Sequence, residues 1–315
     1  IGTNPRHEAT MVNARIRKAF VKNKIPVYSV GNPGDLTYDY TLLGDDVNDI
    51  KNIFDEKSEI NKKLKNAKKP IFVIGESVLE LKNSKYILEK IKDFLIENNF
   101  INETWNALNI LTQNASTVGA IDLGFYNIDK NNNFIFFDKL KNKEFKLLYL
   151  VGSDNFEIKK SDEFIIYQGS HGDKNASIAD VILPSPTYTE QNGLFENLEG
   201  RIQECRKASY PTSEALEDWK IFNLINSSLN SSNLFSDFSS IRKLALHEIP
   251  NFSEIDSLPK NKKPVKINTT LDASSEKIHI KNIDYYYSNS IARASKTMSD
   301  CRNISIDDKK NGTNN

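Results

Sequence analysis

Three short, mainly apolar runs that each end in glycine constrain the fold of this chain more than any other feature. They are Pro26–Val30 before Gly31, Ile71–Ile74 before Gly75, and Lys146–Val151 before Gly152. Runs of this kind are typical of strands that are buried on both faces of a parallel sheet. A glycine directly after such a strand allows a tight turn toward the next helix. The pattern therefore predicts an α/β fold with parallel sheets in Rossmann-like units.

Segments with helical periodicity separate these strands. Glu8–Lys22 carries Val12, Ile16 and Phe20 at the spacing of one helical face. The same reasoning predicts helices over Ser84–Asn98, Glu103–Val118, 213–228 and Phe238–Leu246, and further strands over Glu163–Gln168 and Ala179–Leu183. Ser213 is the expected N-cap of the helix over 213–228, because a serine oxygen can accept a hydrogen bond from the first helical turn.

The chain opens on a turn instead of a strand. Gly2-Thr3-Asn4-Pro5 is typical of a loop that leaves a strand. A parallel sheet without its inner strand would leave backbone groups unpaired, so we expect an upstream segment or another chain to supply that strand. We predict three parts: an α/β unit over 1–140 completed in this way, a second α/β unit over 141–228, and an irregular extension with a docking arm over 229–315.

The balance of charge argues against several classes of partner. The chain has 42 basic and 42 acidic residues, so its formal net charge is zero. A strong general attraction to nucleic acid or anionic lipid is therefore not expected. No apolar run approaches the ~20 residues that a membrane-spanning helix needs. We predict neither a nucleic-acid partner nor a direct membrane span.

The cysteines and histidines do not have the spacing of metal ligands. Cys205 and Cys301 are 96 positions apart, and the four histidines are scattered. Iron–sulfur clusters and structural zinc need grouped thiolates or imidazoles. We therefore predict no metal site and no cluster in this segment, and we favour free thiols over a disulfide between the two cysteines.

The glycines at the strand ends are the main candidates for a binding site. Ligands of open α/β sheets bind at the carboxyl ends of the strands, so Gly31, Gly75 and Gly152 mark a pocket that could hold a dinucleotide. The alternative interpretation is that each glycine only allows a tight turn, which is favoured because none belongs to a complete G-x-G-x-x-G motif. The expectation is a relic pocket without a catalytic residue.

Three further segments have both a functional and a structural interpretation. His171 and Asp173 could act as an acid–base pair, but a hydrogen bond that fixes the loop is favoured, since no nucleophile motif accompanies them. Glu190, Glu196, Glu199 and Arg201 are expected to form an ion pair that fixes a long loop, in preference to a substrate site. Tyr285–Met298 is expected to be an exposed arm that docks on another protein.

Several sequence blocks occur in the order known from one protein family. They include G-T-N-P-R-x-E from Gly2, N-A-R-I-R-K from Asn13, D-L-T-Y from Asp35, A-K-K-P from Ala67, A-I-D-L-G from Ala120, A-D-V-I-L-P from Ala179, Y-T-E from Tyr188, N-L-E-G-R-I-Q from Asn197, D-W-K-I from Asp218 and N-S-I-A-R-A-S-K-T-M from Asn289. Together they resemble the large iron–sulfur subunits of respiratory NADH:quinone oxidoreductase (complex I). That family belongs to the molybdopterin oxidoreductase superfamily. The last block is the most specific, because molybdopterin enzymes in general need not share it.

The resemblance implies a function. It implies a non-catalytic, structural part of the complex I peripheral arm that scaffolds the iron–sulfur subunit, with the clusters in an upstream part or a partner chain. It implies the matrix side of the mitochondrial inner membrane, or the cytoplasmic side of a bacterial plasma membrane. Family members with a pterin dinucleotide usually carry D-P-R where this chain has Gly31-Asn32-Pro33-Gly34-Asp35, so no cofactor is expected here. The alternative is the C-terminal half of a catalytic, formate dehydrogenase-like molybdopterin enzyme.

Overall fold

The chain folds into two compact units. The computed structural model describes residues 1–115, 117–125, 135–153, 156–172, 174–230, 232–248, 255–261, 265–266, 271–281 and 283–310. Unit 1 comprises Ile1–Thr117 and Pro259–Ile283, and unit 2 comprises Val118–Leu258 and Asp284–Asn315. The chain therefore leaves unit 1, builds unit 2 and returns to unit 1 before its last segment. This division differs from the sequence-based boundaries at 140 and 228, which did not anticipate the return.

Unit 1 is built from short helices and strands. Its helices are α1 (Pro5–Glu8), α2 (Thr10–Asn23), α3 (Val47–Ile53), α4 (Glu59–Lys65), α5 (Glu76–Leu79) and α6 (Ser84–Glu97). Its strands are β1 (Tyr28–Val30), β2 (Thr41–Gly44), β3 (Phe72–Gly75), β4 (Ile101–Asn102), β5 (Trp105–Asn106) and β6 (Leu108–Leu111). Strand β1 pairs with β2 and β3 with β6, both in parallel, and β4 and β5 form an antiparallel hairpin.

The backbone of Ile1 and Gly2 lies between the two parallel pairs. The Ile1 amino group donates to the Val73 carbonyl oxygen at 2.7 Å, and the Gly75 N–H donates to the Ile1 carbonyl oxygen at 2.9 Å. On the other side, the Gly2 N–H donates to the Val30 carbonyl oxygen at 2.9 Å. These bonds have the pattern of a parallel ladder. The segment therefore lies at the position of the inner strand that the sequence predicts.

The core of unit 1 lies between helix α6 and the strands. Ile87, Ile91 and Leu95 recur along one face of the helix, and all three are fully buried. Phe94 extends this face toward Phe54, with ring centroids 5.0 Å apart. Burying each such side chain stabilises the fold by about 1.5–3 kcal/mol relative to its exposed state. The amphipathic period of α6 therefore fixes which face of the helix meets the sheet.

A segment from the C-terminal part of the chain crosses unit 1. We call residues 271–281 the strap. Its backbone is tied to the loop before α3: the Val47 N–H donates to the Glu276 carbonyl oxygen at 3.0 Å, and the Ile278 N–H donates to the Asp45 carbonyl oxygen at 2.7 Å. Ala273 and Ile278 are buried in the unit 1 core. The strap is thus part of the packed structure of unit 1.

Unit 2 is organised around a three-stranded parallel sheet. Its helices are α7 (Thr117–Asp122), α8 (Phe136–Lys141), α9 (Lys174–Ser177), α10 (Asp218–Asn230), α11 (Phe238–Glu248), α12 (Ser290–Ala294) and α13 (Lys296–Lys310), with a 3₁₀-helix at Tyr285–Tyr287. Its strands are β7 (Leu147–Val151), β8 (Phe164–Gly169), β9 (Val181–Pro184), β10 (Gly193–Glu196) and β11 (Ile202–Cys205). The sheet order is β7-β8-β9, and β10 and β11 form an antiparallel hairpin.

The parallel α/β class is confirmed, and most predicted elements are present. Helices α2, α6 and α11 and strands β1, β3, β7, β8 and β9 lie within a few residues of their predicted bounds. Continuous apolar runs and the helical period were therefore reliable guides in this chain.

The predicted helix over Glu103–Val118 is wrong. Trp105, Leu108 and Leu111 have a three-residue spacing that fits a helix, but the segment forms β5 and β6. The Asn102 side-chain oxygen accepts hydrogen bonds from the Thr104 and Trp105 N–H groups, both at 3.0 Å, and this makes a turn. Strand β6 then pairs with β3, so tertiary pairing overrides the helical period.

The predicted N-cap at Ser213 is also wrong, because α10 begins at Asp218. Ser213 has a φ of +55°, which is outside the usual N-cap geometry. The Asp218 N–H instead donates to the side-chain oxygen of Gln191 at 3.3 Å. The start of this helix therefore depends on a residue that is distant in sequence.

Candidate functional site

The three candidate glycines lie at the carboxyl ends of parallel strands, as predicted. Gly31 follows β1 with a φ of +84°, Gly75 ends β3, and Gly152 follows β7 with a φ of +57°. Gly31 and Gly75 flank the Ile1–Gly2 backbone in unit 1, whereas Gly152 belongs to unit 2. Gly31 and Gly75 thus mark one edge of unit 1, which we call the carboxyl edge.

The chain itself fills the space at the carboxyl edge. A Cβ atom on Gly31 would lie 3.2 Å from Ile278 Cγ2 and 3.5 Å from Ile280, both on the strap. A Cβ atom on Gly75 would lie 2.2 Å from the Gly2 carbonyl oxygen. These glycines are needed for close packing of the chain against itself. Backbone atoms and apolar side chains of the chain therefore lie directly against both glycines.

Polar groups of the loop after β1 are paired with the N-terminal segment. The Asn4 side-chain N–H donates to the Pro33 carbonyl oxygen at 2.6 Å, and Arg6 forms an ion pair with Asp35 at 2.6 Å. The pKa of Asp35 is lowered, first by the hydrogen bond from the Thr37 N–H and also by Arg6. The loop that departs from the D-P-R pattern is therefore held by contacts within unit 1.

His171 has the environment of an exposed loop residue. Its Nδ1 lies 3.1 Å from the Ser170 hydroxyl oxygen. Asp173, the other half of the predicted pair, lies outside the described residues. This contact joins two adjacent residues of the loop.

The acidic loop is not organised around Arg201 as predicted. In the described part of the chain, Arg201 donates to the Asp256 carbonyl oxygen at 2.6 Å and not to a glutamate. Glu190 accepts from the Thr187 N–H at 3.1 Å, and Glu199 lies beside Asn197. The expected ion pair is replaced by hydrogen bonds to backbone and amide groups.

Glu196 is the most perturbed side chain of this loop. It ends β10 and is only 6% exposed, and its Oε2 has no hydrogen-bond partner among the described residues. Burial raises the pKa of Glu196 to about 7, and the negative charge and hydrogen bond of Asp122 on α7 act in the same direction. No local pattern indicates this pairing, because Asp122 lies 74 positions earlier.

A polar network in unit 2 also escaped the sequence analysis. Gln168, at the end of β8, is fully buried; it accepts from the Tyr149 hydroxyl at 2.5 Å and donates to Asp218 at 2.6 Å. Gln191 donates to the other Asp218 oxygen at 2.9 Å. Beside the network lies a half-open cavity of about 230 Å³, lined in part by Trp219. The network fixes α10 against the carboxyl end of β8.

The predicted docking arm begins with a compact aromatic anchor. The Tyr287 hydroxyl donates to Ser299 at 3.0 Å, and the Arg302 guanidinium lies 4.7 Å from the centre of the Tyr287 ring. Arg302 also pairs with Asp284 at 2.6 Å. Tyr285, by contrast, is 72% exposed. The segment therefore has one anchored and one solvent-facing tyrosine.

Several predicted absences can be compared with the described residues. Cys205 and Cys301 are free, as favoured. Among the described residues, no three His, Cys, Asp or Glu side chains are grouped as metal ligands would be. Within the same residues, no helix has the length and apolar character needed to cross a membrane.

Comparison with known proteins identifies clear relatives. The molybdopterin oxidoreductase family matches residues 1–227. The chain is 36% identical over 307 residues to the NADH-ubiquinone oxidoreductase 75 kDa subunit of Reclinomonas americana, covering 96% of this chain and 44% of that protein. It is 38% identical over 315 residues to the mitochondrial 78 kDa subunit of Candida albicans, covering 96% of this chain and 42% of that protein.

A plant relative has the same extent of similarity. The mitochondrial NADH dehydrogenase (ubiquinone) iron-sulfur protein 1 of Solanum tuberosum is 32% identical over 309 residues, covering 96% of this chain and 40% of that protein. The chain thus spans less than half the length of the curated relatives it matches. Similarity extends beyond residue 227, over the C-terminal segment that the family match does not include.

Proposed function

Because the chain belongs to the molybdopterin oxidoreductase family and is homologous to subunits of NADH-ubiquinone oxidoreductase, we propose that it is a structural part of that complex (complex I). In this role it lies in the peripheral arm and scaffolds the iron–sulfur electron-transfer subunit. The segment itself carries no catalytic residue, and the clusters belong to an upstream part or a partner chain. We further propose the matrix side of the mitochondrial inner membrane, since two of the relatives are named as mitochondrial.

The packing at the carboxyl edge is the observation that most supports the non-catalytic role. Open α/β sheets bind their ligands at this place. Here Ile278 and Ile280 pack over Gly31, and the Gly2 backbone packs against Gly75. An edge closed by its own chain supports a scaffold and argues against a dinucleotide enzyme. The relatives above are all complex I subunits, so the formate dehydrogenase-like alternative is not favoured.

The gap between β1 and β3 supports a direct contact with the upstream part or partner chain that carries the iron–sulfur clusters. The Val30 and Val73 carbonyl oxygens accept hydrogen bonds from the Gly2 and Ile1 nitrogens. In a strand, the N–H and C=O groups of one residue point to the same side, so the Val30 and Val73 N–H groups also face the gap between β1 and β3. An extended segment that runs parallel to both strands would pair with these groups. We propose that the cluster-bearing part contributes this strand and joins the chain near Gly2–Arg6.

The C-terminal arm is the second proposed contact. Tyr285–Met298 presents an exposed tyrosine beside an anchored one, and aromatic residues of this kind are common at protein interfaces. Deleting Tyr285–Met298 should reduce incorporation into the assembly. Normal assembly of the deletion variant would contradict a docking role for the arm. The single substitution Tyr285→Ala distinguishes the loss of one exposed contact from misfolding of the whole segment.

Native electrophoresis of detergent-solubilised membranes tests the proposed function. We expect the chain to migrate in a large assembly with NADH dehydrogenase activity, together with a polypeptide that carries the iron–sulfur clusters, identified by mass spectrometry. Metal analysis of the same band should find iron without molybdenum or tungsten in stoichiometric amount. Migration as a small species that contains molybdenum would instead support the enzyme alternative.

A further inference from the structure

The strap is bonded to unit 1 more extensively than its polar sequence suggests. The Glu276 carboxylate accepts hydrogen bonds from the Lys82 and Asn83 N–H groups, both at 3.2 Å, and from the Asn83 side chain at 2.6 Å. The Ser275 hydroxyl donates to Asp46 at 2.7 Å. Farther along, the Lys281 N–H donates to the Ser77 hydroxyl at 3.0 Å. These contacts hold the strap from the start of α3 to the start of α5.

The ends of the strap are also held by charge. The Lys51 ammonium pairs with Asp272 at 2.7 Å and also donates to the Ala273 carbonyl oxygen. Lys277 pairs with Asp45 at 2.5 Å, and Lys281 pairs with Glu80. These pairs are largely exposed, so each contributes little to the net stability. They fix the register of the strap, while its buried residues Ala273 and Ile278 supply apolar contact with the core.

The two faces of the strap differ as the faces of a bound peptide do. Ile278 is 3% exposed and meets Gly2 and Gly31, and Ile280 lies beside it over Gly31. His279, between them, is exposed, and so is Lys277. The strap makes main-chain hydrogen bonds to the loop before α3, and alternate side chains of the strap contact unit 1. Proteins bind extended peptides by the same combination of contacts.

We propose that the strap is an internal ligand of unit 1. It is a peptide segment that binds reversibly at the carboxyl edge, takes the place that a dinucleotide has in related sheets, and keeps this edge closed. The bound segment is tethered to its site through unit 2, since residues 118–258 separate the two parts of unit 1. The strap opens as a separate unit, while the core around α6 stays folded. This role does not depend on assembly into a larger complex.

Hydrogen exchange of the full chain measures the opening of the strap. The variant Ile278→Ala/Ile280→Ala removes its apolar contacts, and His279→Ala is the matched control on the exposed face. We expect the Val47, Lys82 and Asn83 amides, whose acceptors lie on Glu276, to exchange on the order of tenfold or more faster in the double variant. Amides within α6 should keep their protection, and the control should match the parent chain.

A peptide added in trans then tests whether the strap is a ligand. A synthetic peptide with the sequence of residues 271–281 should restore slow exchange at Val47, Lys82 and Asn83 in the double variant, and a scrambled peptide should not. Failure of the peptide to restore protection at any soluble concentration would overturn the proposal. Loss of protection throughout α6 in the double variant would also overturn it, because the strap would then be an inseparable part of the core.

A disulfide provides a second test, in which the oxidised and reduced forms of one variant are compared with each other. Asp46 and Lys277 form an antiparallel bridge, so their backbones have the separation that a disulfide spans. In Asp46→Cys/Lys277→Cys, oxidation should slow exchange of the Val47 amide about tenfold relative to the reduced form, because opening is blocked. If the disulfide forms and exchange is unchanged, opening of the strap is not the event that exposes this edge.

Discussion

The buried carboxyl group of Glu196 should make the stability of unit 2 depend on pH near neutrality. Its pKa is raised to about 7 by burial and by Asp122, above the ordinary value of 4.5. Since the folded state holds this proton more tightly than the unfolded state, the associated stability is fully present below about pH 4.5 and is lost as the pH rises through about 7. The group is only 6% exposed, so solvent screening reduces this effect little.

The magnitude follows from the shift. A difference of about 2.5 pKa units, from 4.5 to about 7, corresponds to about 3 kcal/mol of unfolding free energy between acidic and mildly alkaline solution. Glu196→Gln is neutral at every pH and resembles the protonated form in shape. We therefore expect this variant to match the parent chain near pH 4 and to exceed its stability by about 3 kcal/mol near pH 8.

Urea denaturation across this pH range provides the measurement. Fluorescence of Trp219, on α10 of unit 2, reports unfolding of the relevant unit when Trp105 of unit 1 is replaced by phenylalanine in every variant. Glu199→Gln is the matched control, because Glu199 lies on the same loop and is exposed. A stability difference between Glu196→Gln and the parent that does not change with pH would refute the reasoning. Asp122→Asn should give a smaller pH dependence than the parent, because it removes one of the causes of the shift.

Other substitutions test individual contacts. Gly31→Ala should destabilise unit 1 by about 2–3 kcal/mol in chemical denaturation, since it adds a Cβ 3.2 Å from Ile278 at a φ of +84°. Its control is Gly34→Ala, where φ is +72° but the surrounding space is open, and this variant should cost about 1 kcal/mol. Glu276→Ala should cost about 1–2 kcal/mol, because it removes the acceptor for two backbone N–H groups before α6; an unchanged unfolding midpoint would contradict this. Asp218→Asn should cost about 1–3 kcal/mol, since it weakens bonds from two glutamine side chains, and a proteolysis assay should then find α10 more susceptible.

Local patterns in the sequence were sufficient for the parallel strands and the long helices. The strands at Phe72–Gly75 and Leu147–Val151 are continuous apolar runs, and α6 has a clear helical period. Each of these signals lies within about fifteen residues, so no knowledge of the rest of the chain is needed to read it. The carboxyl-end positions of Gly31, Gly75 and Gly152 followed from the same patterns.

Contacts between distant parts of the chain could not be predicted in this way. The strap has only Ile278 and Ile280 as apolar markers, and nothing near them indicates a partner more than 190 positions earlier at Asn83. The same holds for Glu196 and Asp122. Strand β6 was missed because its pairing with β3 decides its structure, whereas the three-residue spacing of the apolar side chains favours a helix locally.

The return of the chain to unit 1 has a consequence for biosynthesis. Glu276 accepts from backbone groups 193 and 194 positions earlier, so a ribosome has to add nearly that many residues before this edge can close. At about 5–20 residues per second, the interval is on the order of 10–40 s. During this time a nascent chain would expose the core positions later covered by Ala273 and Ile278. Chaperones that act on nascent chains should therefore be recruited before unit 2 has emerged completely.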